Sequence, residues 1–323
     1  MRVRAKAVSF RLLAAALAVL LLSGCHFFDS QFALNGRPIL ANPDYVRTPP
    51  PLLLSGYSGE VTTSWSDGIS SAEIDLTNLT KGYVTVGCNS PRKAKFQVKY
   101  GEQEYNYDVY SNGTYEVFPL GMGNGNYRFT VFLWLENNTY EYFLVSEQWV
   151  EIESEFSPFI VPNQNVNYNA DSICTALSYE ILQNCMTDAE CVAEIYYWVE
   201  RNISYDQPKA DNLAALVAYR PDLDEIVRDK KGICYDYAAL VAAMLRINGI
   251  PCILVKGDVR MPDGRSLYHA WNMIWLENVG WVAVQMPSTP EEWMMIDLTF
   301  ARAMGSSVQE YLQGNNYTQL SMH

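Results

Sequence analysis

The chain has 323 residues, a formal net charge of −13 and an apolar fraction of 49%. This length exceeds that of one ordinary domain, and the apolar fraction is sufficient for more than one hydrophobic core. A chain this acidic is not suited to bind nucleic acid or to seek lipid headgroups through a basic face.

The first 24 residues are predicted to be an export signal, because four basic residues precede an apolar run over 12–22 that is too short to span a bilayer comfortably. Removing those four charges takes the formal net charge from −13 to −17. The run ends in Leu22-Ser23-Gly24-Cys25, which resembles the lipobox of bacterial lipoproteins. The resemblance implies cleavage before Cys25, a diacylglycerol on the thiol of that cysteine, with acyl chains such as palmitate, and an anchor on the extracytoplasmic face of the cell membrane. The alternative is that the segment is an ordinary signal peptide and that Cys25 has no role in anchoring.

Residues 25–70 lack a sustained hydrophobic period and are rich in Asn, Pro, Ser and Gly, which predicts an extended, lipid-anchored tether. Residues 71–156 alternate between apolar and polar positions and contain frequent turn residues, which predicts a small all-β sandwich. Asn112-Gly113 is expected to close a hairpin between Val109 and Val117. The tyrosines of these strands could form a ligand platform, but packing on a sheet is their commoner role.

Residues 157–168 are predicted to be a linker, and the hydrophobic period of the remaining segment, 169–323, changes from two to 3.6. The run Thr187–Glu190 has the form of a capping box at the start of a helix. Another helix is expected over 213–219, and strand-like runs follow near the end, including one over 294–298. Helices followed by antiparallel strands indicate an α+β domain.

Seven cysteines are present. Outside the cytoplasm, Cys174, Cys185 and Cys191 are close enough in sequence for one disulfide, although the spacing does not define which two would pair. Cys252 lies in an apolar run and is expected to be a small buried side chain. The sequence has no Cys-x-x-Cys pair and no loop of EF-hand spacing, so no metal or other cofactor is expected.

A preceding glycine and a following run of helix formers place Cys234 at the predicted start of a helix. Unpaired N–H groups at a helix N-terminus stabilise an anion, so a thiol there is biased toward the thiolate that attacks carbonyl carbon. Such a nucleophile needs a base and a group that orients the base. His269 is the only histidine expected inside a folded domain, since His26 follows Cys25 and His323 is the last residue. Asp297 is the candidate acid, because a carboxylate flanked by apolar residues is costly unless it is paired.

Short motifs follow one another over the segment 231–300: Gly232-Ile233-Cys234, Gly249-Ile250-Pro251, His269-Ala270-Trp271, Gly280-Trp281-Val282, and Asp297 with Thr299. In this order they are similar to the core of the transglutaminase-like superfamily. Leu298 stands where proline is commoner, and the upstream piece 203–206 matches as well. The resemblance extends over roughly residues 170–312 and implies a papain-like catalytic domain behind the β-sandwich.

The resemblance also implies a catalytic triad of Cys234, His269 and Asp297. Cys234 would attack an amide carbon of a protein or peptide substrate and form a thioester, with its own N–H as one oxyanion donor. His269 would move the proton, Asp297 would hold the imidazole, and Trp271 is expected to be a packing wall.

Water would resolve the thioester by hydrolysis, and an amine would resolve it by transamidation; the triad itself does not distinguish the two. Two other functions stay open. The domain could be a catalytically idle scaffold or peptide-binding module. The β-sandwich could instead be the functional part and bind a wall polymer or a protein partner.

Overall fold

The computed structural model describes residues 46–135, 139–212, 218–260, 266–277, 279–284 and 317–323. The predictions at Cys25 and Asp297, and those over 213–217 and 294–298, therefore lie outside the described residues. Two β-sheets come first, and helices with a further large sheet follow, which confirms the expected α+β class. Among the helices that the structure describes, none is long and apolar enough to cross a membrane.

The N-terminal region is a sandwich of two four-stranded antiparallel sheets. Its strands are β1 (Thr63–Ser66), β2 (Ser71–Asp75), β3 (Tyr83–Asn89), β4 (Ala94–Tyr100), β5 (Gln103–Val109), β6 (Asn112–Pro119), β7 (Gly125–Trp134) and β8 (Tyr140–Val150). One sheet has the order β1-β2-β3-β6 and the other has the order β5-β4-β7-β8. Both sheets contribute to one core, for example through Val86 and Phe118 from the first and Phe96 and Phe129 from the second. The apolar alternation along the strands produces this core, since every second side chain faces inward.

The Asn112-Gly113 signal does not close a hairpin, which corrects the expectation from the sequence. β5 and β6 lie in different sheets, so the chain crosses from one sheet to the other after Val109. Gly113 lies inside β6 with a φ of 83°, where the pairing with β3 shifts register. This glycine supplies the positive φ of a β-bulge, and the hairpin in this part of the chain is that of β4 and β5 around Gly101.

The first described part of the expected tether, residues 46–66, is bound to the fold and is not a free chain. The Arg47 N–H donates to Gln183 O at 2.7 Å, and Ser55 Oγ donates to Pro162 O at 2.5 Å. The segment then enters the sandwich as β1. These partners are distant in sequence, so the local hydrophobic pattern of the segment carries no information about them.

The expected linker over 157–168 is also packed. It begins with a 3₁₀ turn at Ser157–Phe159, and Val166 and Tyr168 are buried in the core of the helical region. The two domains are therefore joined by a folded connection.

The second region contains the helices α1 (Ile173–Leu182), α2 (Asp188–Asn202), α3 (Gln207–Asp211), α4 (Leu223–Asp229) and α5 (Cys234–Ile247). Its strands are β9 (Ser204–Tyr205), β10 (Lys231–Gly232), β11 (Cys252–Arg260), β12 (Ser266–Leu276), β13 (Gly280–Val284) and β14 (Tyr317–Met322). The predicted capping box of α2 is confirmed, because Thr187 Oγ1 accepts from Glu190 N at 3.2 Å and Glu190 Oε2 accepts from Thr187 N at 3.2 Å. Gly249, with a φ of 74°, follows the end of α5 as expected.

The large sheet of this region has the order β13-β12-β11-β14 and is antiparallel throughout its described pairs. Cys252 and Leu254 of β11 pack in the core that contains α5. Ile253 and Val255 alternate to the opposite face and pack in a second core with Trp271. The sheet is thus buried on both faces, and Cys252 has the buried position expected of it.

His323 is buried where the sandwich meets the helical region, so the expectation of only one histidine inside a folded domain is wrong. Its ring shares a hydrogen bond with Tyr107 of β5 through Nδ1 at 3.2 Å and with Ser321 through Nε2 at 2.9 Å. Its main-chain oxygen accepts from Arg246 Nη2 at 2.6 Å and from Leu254 N at 2.9 Å. Pairing of β14 with β11 brings His323 there, a long-range contact that sequence position does not indicate.

Candidate active site

Cys234 is the first residue of α5, as the sequence predicts, and all fourteen residues of this helix are buried. Ile233 precedes it in an extended conformation, with φ of −100° and ψ of 177°. The first N–H groups of a helix have no partners within the helix, so they face outward beside the Cys234 side chain. The helix end therefore combines a thiol with a positive local potential.

Asp236 fixes this helix end from the inside. Its side chain is fully buried, and Oδ2 accepts from the N–H of Ile233 at 2.9 Å. The same carboxylate accepts from Lys209 Nζ at 2.7 Å and from the Tyr219 hydroxyl at 2.7 Å. A buried carboxylate is stable only with such partners, and an acid in the first helical turn also favours the helix dipole.

A two-stranded parallel ladder holds the chain directly in front of the nucleophile. Gly232 of β10 pairs with Tyr205 of β9, and Asp206 N donates to Gly232 O at 2.9 Å. A Cβ at Gly232 would lie 2.7 Å from the Cβ of Asp236, so only glycine fits this close approach. Residues 203–206 and Gly232, which both belong to the motifs noted in the sequence, thus hold the chain in front of Cys234 through the same ladder.

His269 lies on β12, the strand adjacent to the helix that carries Cys234. Asn272 Nδ2 of this strand donates to Ala238 O of α5 at 2.9 Å, which ties the two elements together one turn below the cysteine. Partial desolvation first, and then the charge of Cys234, raise the pKa of Tyr268 to about 12, although more than half of this side chain is exposed. His269 lies two residues before Trp271 on β12, so the two side chains share a face of the sheet, whereas Ala270 packs toward α5.

The ring of His269 is buried and lies nearly parallel to that of Trp271, with the centroids 6.3 Å apart. Trp271 packs in the core on the sheet face opposite α5, which is the packing role expected of it. Asp297, the third predicted member of the triad, lies outside the described residues.

The other thiols of the second region are ordinary buried side chains. Burial raises the pKa of Cys174 and of Cys252 to about 12. The disulfide expected among Cys174, Cys185 and Cys191 is absent from the structure, since all three are free cysteines. Cys185 and Cys191 form a thiol–thiol hydrogen bond, which raises the pKa of Cys185.

Sequence reasoning missed the three side chains that hold the helix end, namely Asp236, Lys209 and Tyr219. The available signal was an acidic residue at the third position of the predicted helix, which is a common capping position. Lys209 and Tyr219 come from separate segments, and their proximity to Asp236 depends on the tertiary fold. No group of acidic, histidine or cysteine side chains suited to hold a metal ion occurs among the residues that the structure describes.

Residues 175–286 match the family model of the transglutaminase-like superfamily. The human kyphoscoliosis peptidase is 28% identical over 136 residues, which is 40% of this chain and 18% of that protein. The UPF0252 protein MJ1282 of Methanocaldococcus jannaschii is 34% identical over 104 residues, which is 30% of this chain and 29% of that protein. The chain thus spans less than a third of the length of these relatives.

The solved structure of red sea bream transglutaminase is also similar, with 13% identity and a TM-score of 0.29 over 63% of this chain and 47% of that one. A TM-score at this level carries no argument by itself. The family model, which matches the helical region and part of its sheet, and the sequence relatives are the evidence for the likeness.

Proposed function

We propose, from the premise that residues 175–286 form a transglutaminase-like domain, that this chain is a cysteine enzyme that acts on peptide or side-chain amides. The observation that carries the proposal is the placement of Cys234 at the N-terminus of a completely buried helix. A thiol that merely filled the core would not need a helix end held by a buried carboxylate, a lysine and a tyrosine. The arrangement fits a group that must keep one position while it reacts.

In the proposed reaction the Cys234 thiolate attacks the carbonyl carbon of the amide after His269 takes up the thiol proton. The tetrahedral oxyanion is stabilised by N–H groups at the start of α5. The C–N bond then breaks, and the leaving amine takes the proton from His269. A thioester remains on Cys234. Asp297 would orient the imidazole and stabilise its charged form.

Hydrolysis returns the thioester to a free thiol and a carboxylic acid, whereas transfer to a primary amine forms a new amide. The name of the human relative, a peptidase, favours hydrolysis. A glutamine-containing peptide offered with and without a primary amine separates the two. Ammonia release without incorporation of the amine supports the hydrolase, and amine incorporation supports the transferase.

Alkylation kinetics test whether Cys234 is an activated nucleophile. The purified chain lacking residues 1–25 is labelled with iodoacetamide between pH 5 and 8, and each cysteine is followed by peptide mass spectrometry. Cys234 should react well below the pH at which an ordinary thiol reacts, and His269→Gln should slow it. Cys174 and Cys252 are internal controls, because burial keeps their thiols protonated. A rate for Cys234 equal to that of a free thiol peptide would favour the idle scaffold.

The proposal also includes export and an acyl anchor at Cys25, on the basis of the signal segment and its Leu22-Ser23-Gly24-Cys25 ending. Metabolic labelling with an alkyne-tagged fatty acid should mark the full chain and shift it to the membrane fraction. The Cys25→Ser variant should lose both the label and the membrane association. Equal labelling of the variant would contradict the anchor and leave an ordinary signal peptide.

A further inference from the structure

Trp149 is the large aromatic side chain most exposed in the β-sandwich, with 67% of its surface open to solvent. It lies at the end of β8, where its strand pairs Trp149 with Asn126 of β7. Neighbouring side chains of β8 that face inward, such as Val150, are buried. The indole thus lies on the solvent-facing side of the sheet and does not belong to the core.

The indole borders a hollow of about 390 Å³ on this face, within the range of small-ligand sites. Asn126, Arg128, Glu147 and Lys99 line the same hollow. Pairing across three strands places them side by side, since Arg128 is opposite both Glu147 and Lys99. An aromatic plane therefore adjoins an amide, two cationic groups and a carboxylate.

These polar groups are not saturated by one another. Arg128 Nε lies 3.9 Å from Glu147 Oε1, and Lys99 Nζ lies 4.0 Å from Glu104 Oε2, so both ion pairs are long. About half of the Arg128 side chain and three quarters of the Glu147 side chain are exposed. Exposed pairs at such distances are weak, which leaves their donors and acceptors available to a ligand.

We propose that this hollow around Trp149 is a binding site for a saccharide chain. A sugar ring has a face of C–H groups that stacks on an indole and a rim of hydroxyls that both donate and accept hydrogen bonds. Asn126 can do both, Arg128 and Lys99 donate, and Glu147 accepts. The mixed charges give no selection for a polyanion such as nucleic acid.

A protein partner fits the hollow less well than a saccharide. The centre of a protein interface needs several contiguous apolar side chains. None of the other large apolar side chains that are exposed in the described part of the chain lines this hollow. One aromatic plane surrounded by polar groups matches a hydroxylated ring better than an apolar protein surface. The site uses no residue of the proposed active site, so it stands or falls separately from the amide chemistry.

The test uses the chain lacking residues 1–25 and soluble hexamers of N-acetylglucosamine, glucose and mannose, immobilised on an array and then titrated. At least one hexamer should retain the chain and change the tryptophan fluorescence. Trp149→Ala should lower the affinity about tenfold or more, and Trp149→Phe should retain part of it. Tyr142→Ala is the matched control, because Tyr142 is 62% exposed on the same strand but outside the hollow.

Thermal unfolding should be unchanged in all three variants, since these side chains are exposed. The proposal is overturned if no hexamer binds, or if Trp149→Ala binds as tightly as the parent chain. It is also overturned if Tyr142→Ala abolishes binding and Trp149→Ala does not. Alkylation of Cys234, measured on the same samples, reports on the proposed enzyme independently of these outcomes.

Discussion

Different interactions stabilise the interior of the β-sandwich and the interior of the helical region. The core of the sandwich is a continuous apolar layer between two sheets, and one of its buried acids, Asp75, fixes a turn by accepting from Thr77 N at 2.9 Å and Ser58 N at 2.8 Å. In the helical region buried charged side chains lie at both ends of α5, Asp236 at the first turn and Arg246 at the last. Both charges are placed favourably for the helix dipole.

The difference shows how a scaffold can specify position as well as stability. Apolar contacts are non-directional and tolerate small shifts, whereas hydrogen bonds to buried charges have narrow geometry. Arg246 donates to the main-chain oxygens of Cys252 at 2.7 Å and Val161 at 2.9 Å, so it ties α5 to β11 and to the connection between the domains. Hydrogen bonds to buried charged side chains thus fix both ends of the helix that carries the candidate nucleophile.

The largest expected effect comes from the nucleophile itself. Cys234→Ser keeps the shape of the site but replaces the thiolate by a hydroxyl that does not ionise, so amide turnover should fall by about 10⁴-fold or more. Turnover of a chromogenic peptide amide and the melting temperature are measured together. An unchanged melting temperature with lost turnover shows that the helical region carries the chemistry. If the Cys234→Ser variant kept its turnover, the reaction would not depend on Cys234.

Asp236→Asn sharpens the comparison between the two buried acids. The amide cannot neutralise Lys209, so the free energy of unfolding should fall by about 3 kcal/mol, the lower end for a buried ion pair because Lys209 is partly exposed. Alkylation of Cys234 should also slow as the helix end loosens. Asp75→Asn is the matched control in the sandwich: it should reduce stability but leave alkylation unchanged. Equal alkylation in both variants would show that Asp236 does not position the cysteine.

Arg220→Ala tests the charge pair that joins the two regions. Arg220 donates to Asp108 O of the sandwich, and its Nη1 lies 2.6 Å from Glu116 Oε1 without hydrogen-bond geometry, so the attraction to Glu116 is mainly coulombic. Removing Arg220 leaves Glu116 buried without a counter-charge, and the free energy of unfolding should fall by about 2 kcal/mol at pH 8.

At pH 5, Arg220→Ala should lower the free energy of unfolding by less than it does at pH 8. Burial raises the pKa of Glu116, against the hydrogen bond from Tyr110 N and the charge of Arg220, so the folded state binds a proton more readily than the unfolded chain. A protonated Glu116 needs no counter-charge, and stability from this group is lost as the pH rises. Urea unfolding at both pH values measures this, with the exposed Arg228→Ala as control. An equal loss at both values would contradict the account.

His323→Gln gives the smallest expected effect at neutral pH, and its effect is visible mainly in acid. Burial, and then the charges of Lys256 and Arg246, hold the pKa of His323 well below its usual value of 6.5. The unfolded chain therefore binds a proton that the folded chain does not, so the parent should lose up to about 1.4 kcal/mol per pH unit below pH 6.5. The variant should lack this slope, and His26→Gln should keep it. A steep acid slope in the His323 variant would assign it to other groups.

Local patterns predicted the parts of the fold that depend on local physics. The capping box at Thr187, the helix start at Cys234 and the glycine after its end are set by neighbouring residues, and the structure has all three. The alternation of the sandwich strands was equally readable. The transglutaminase-like motifs pointed to the same segment as the family match.

The errors came from contacts between residues far apart in sequence. The pair Asn112-Gly113 suits both a hairpin turn and a β-bulge. It forms a bulge here because β6 joins the other sheet, which local sequence does not indicate. Lys209 reaches Asp236 across 27 positions, and His323 reaches Tyr107 across 216. Neither contact leaves a local period or spacing. Local sequence also gave no sign that residues 46–66 of the expected tether are packed, because their partners lie in domains that come later in the chain.

The position of β14 has a consequence for synthesis of the protein. β11 pairs on one side with β12, which follows it closely, but on the other side with residues 317–322, and the oxygen of His323 is an acceptor for Arg246. A nascent chain that has passed α5 and β11 thus holds a sheet edge and a buried guanidinium that lack their partners. The sheet of the helical region can close only when β14 has left the ribosome, so the sandwich can fold during translation before the helical region is complete.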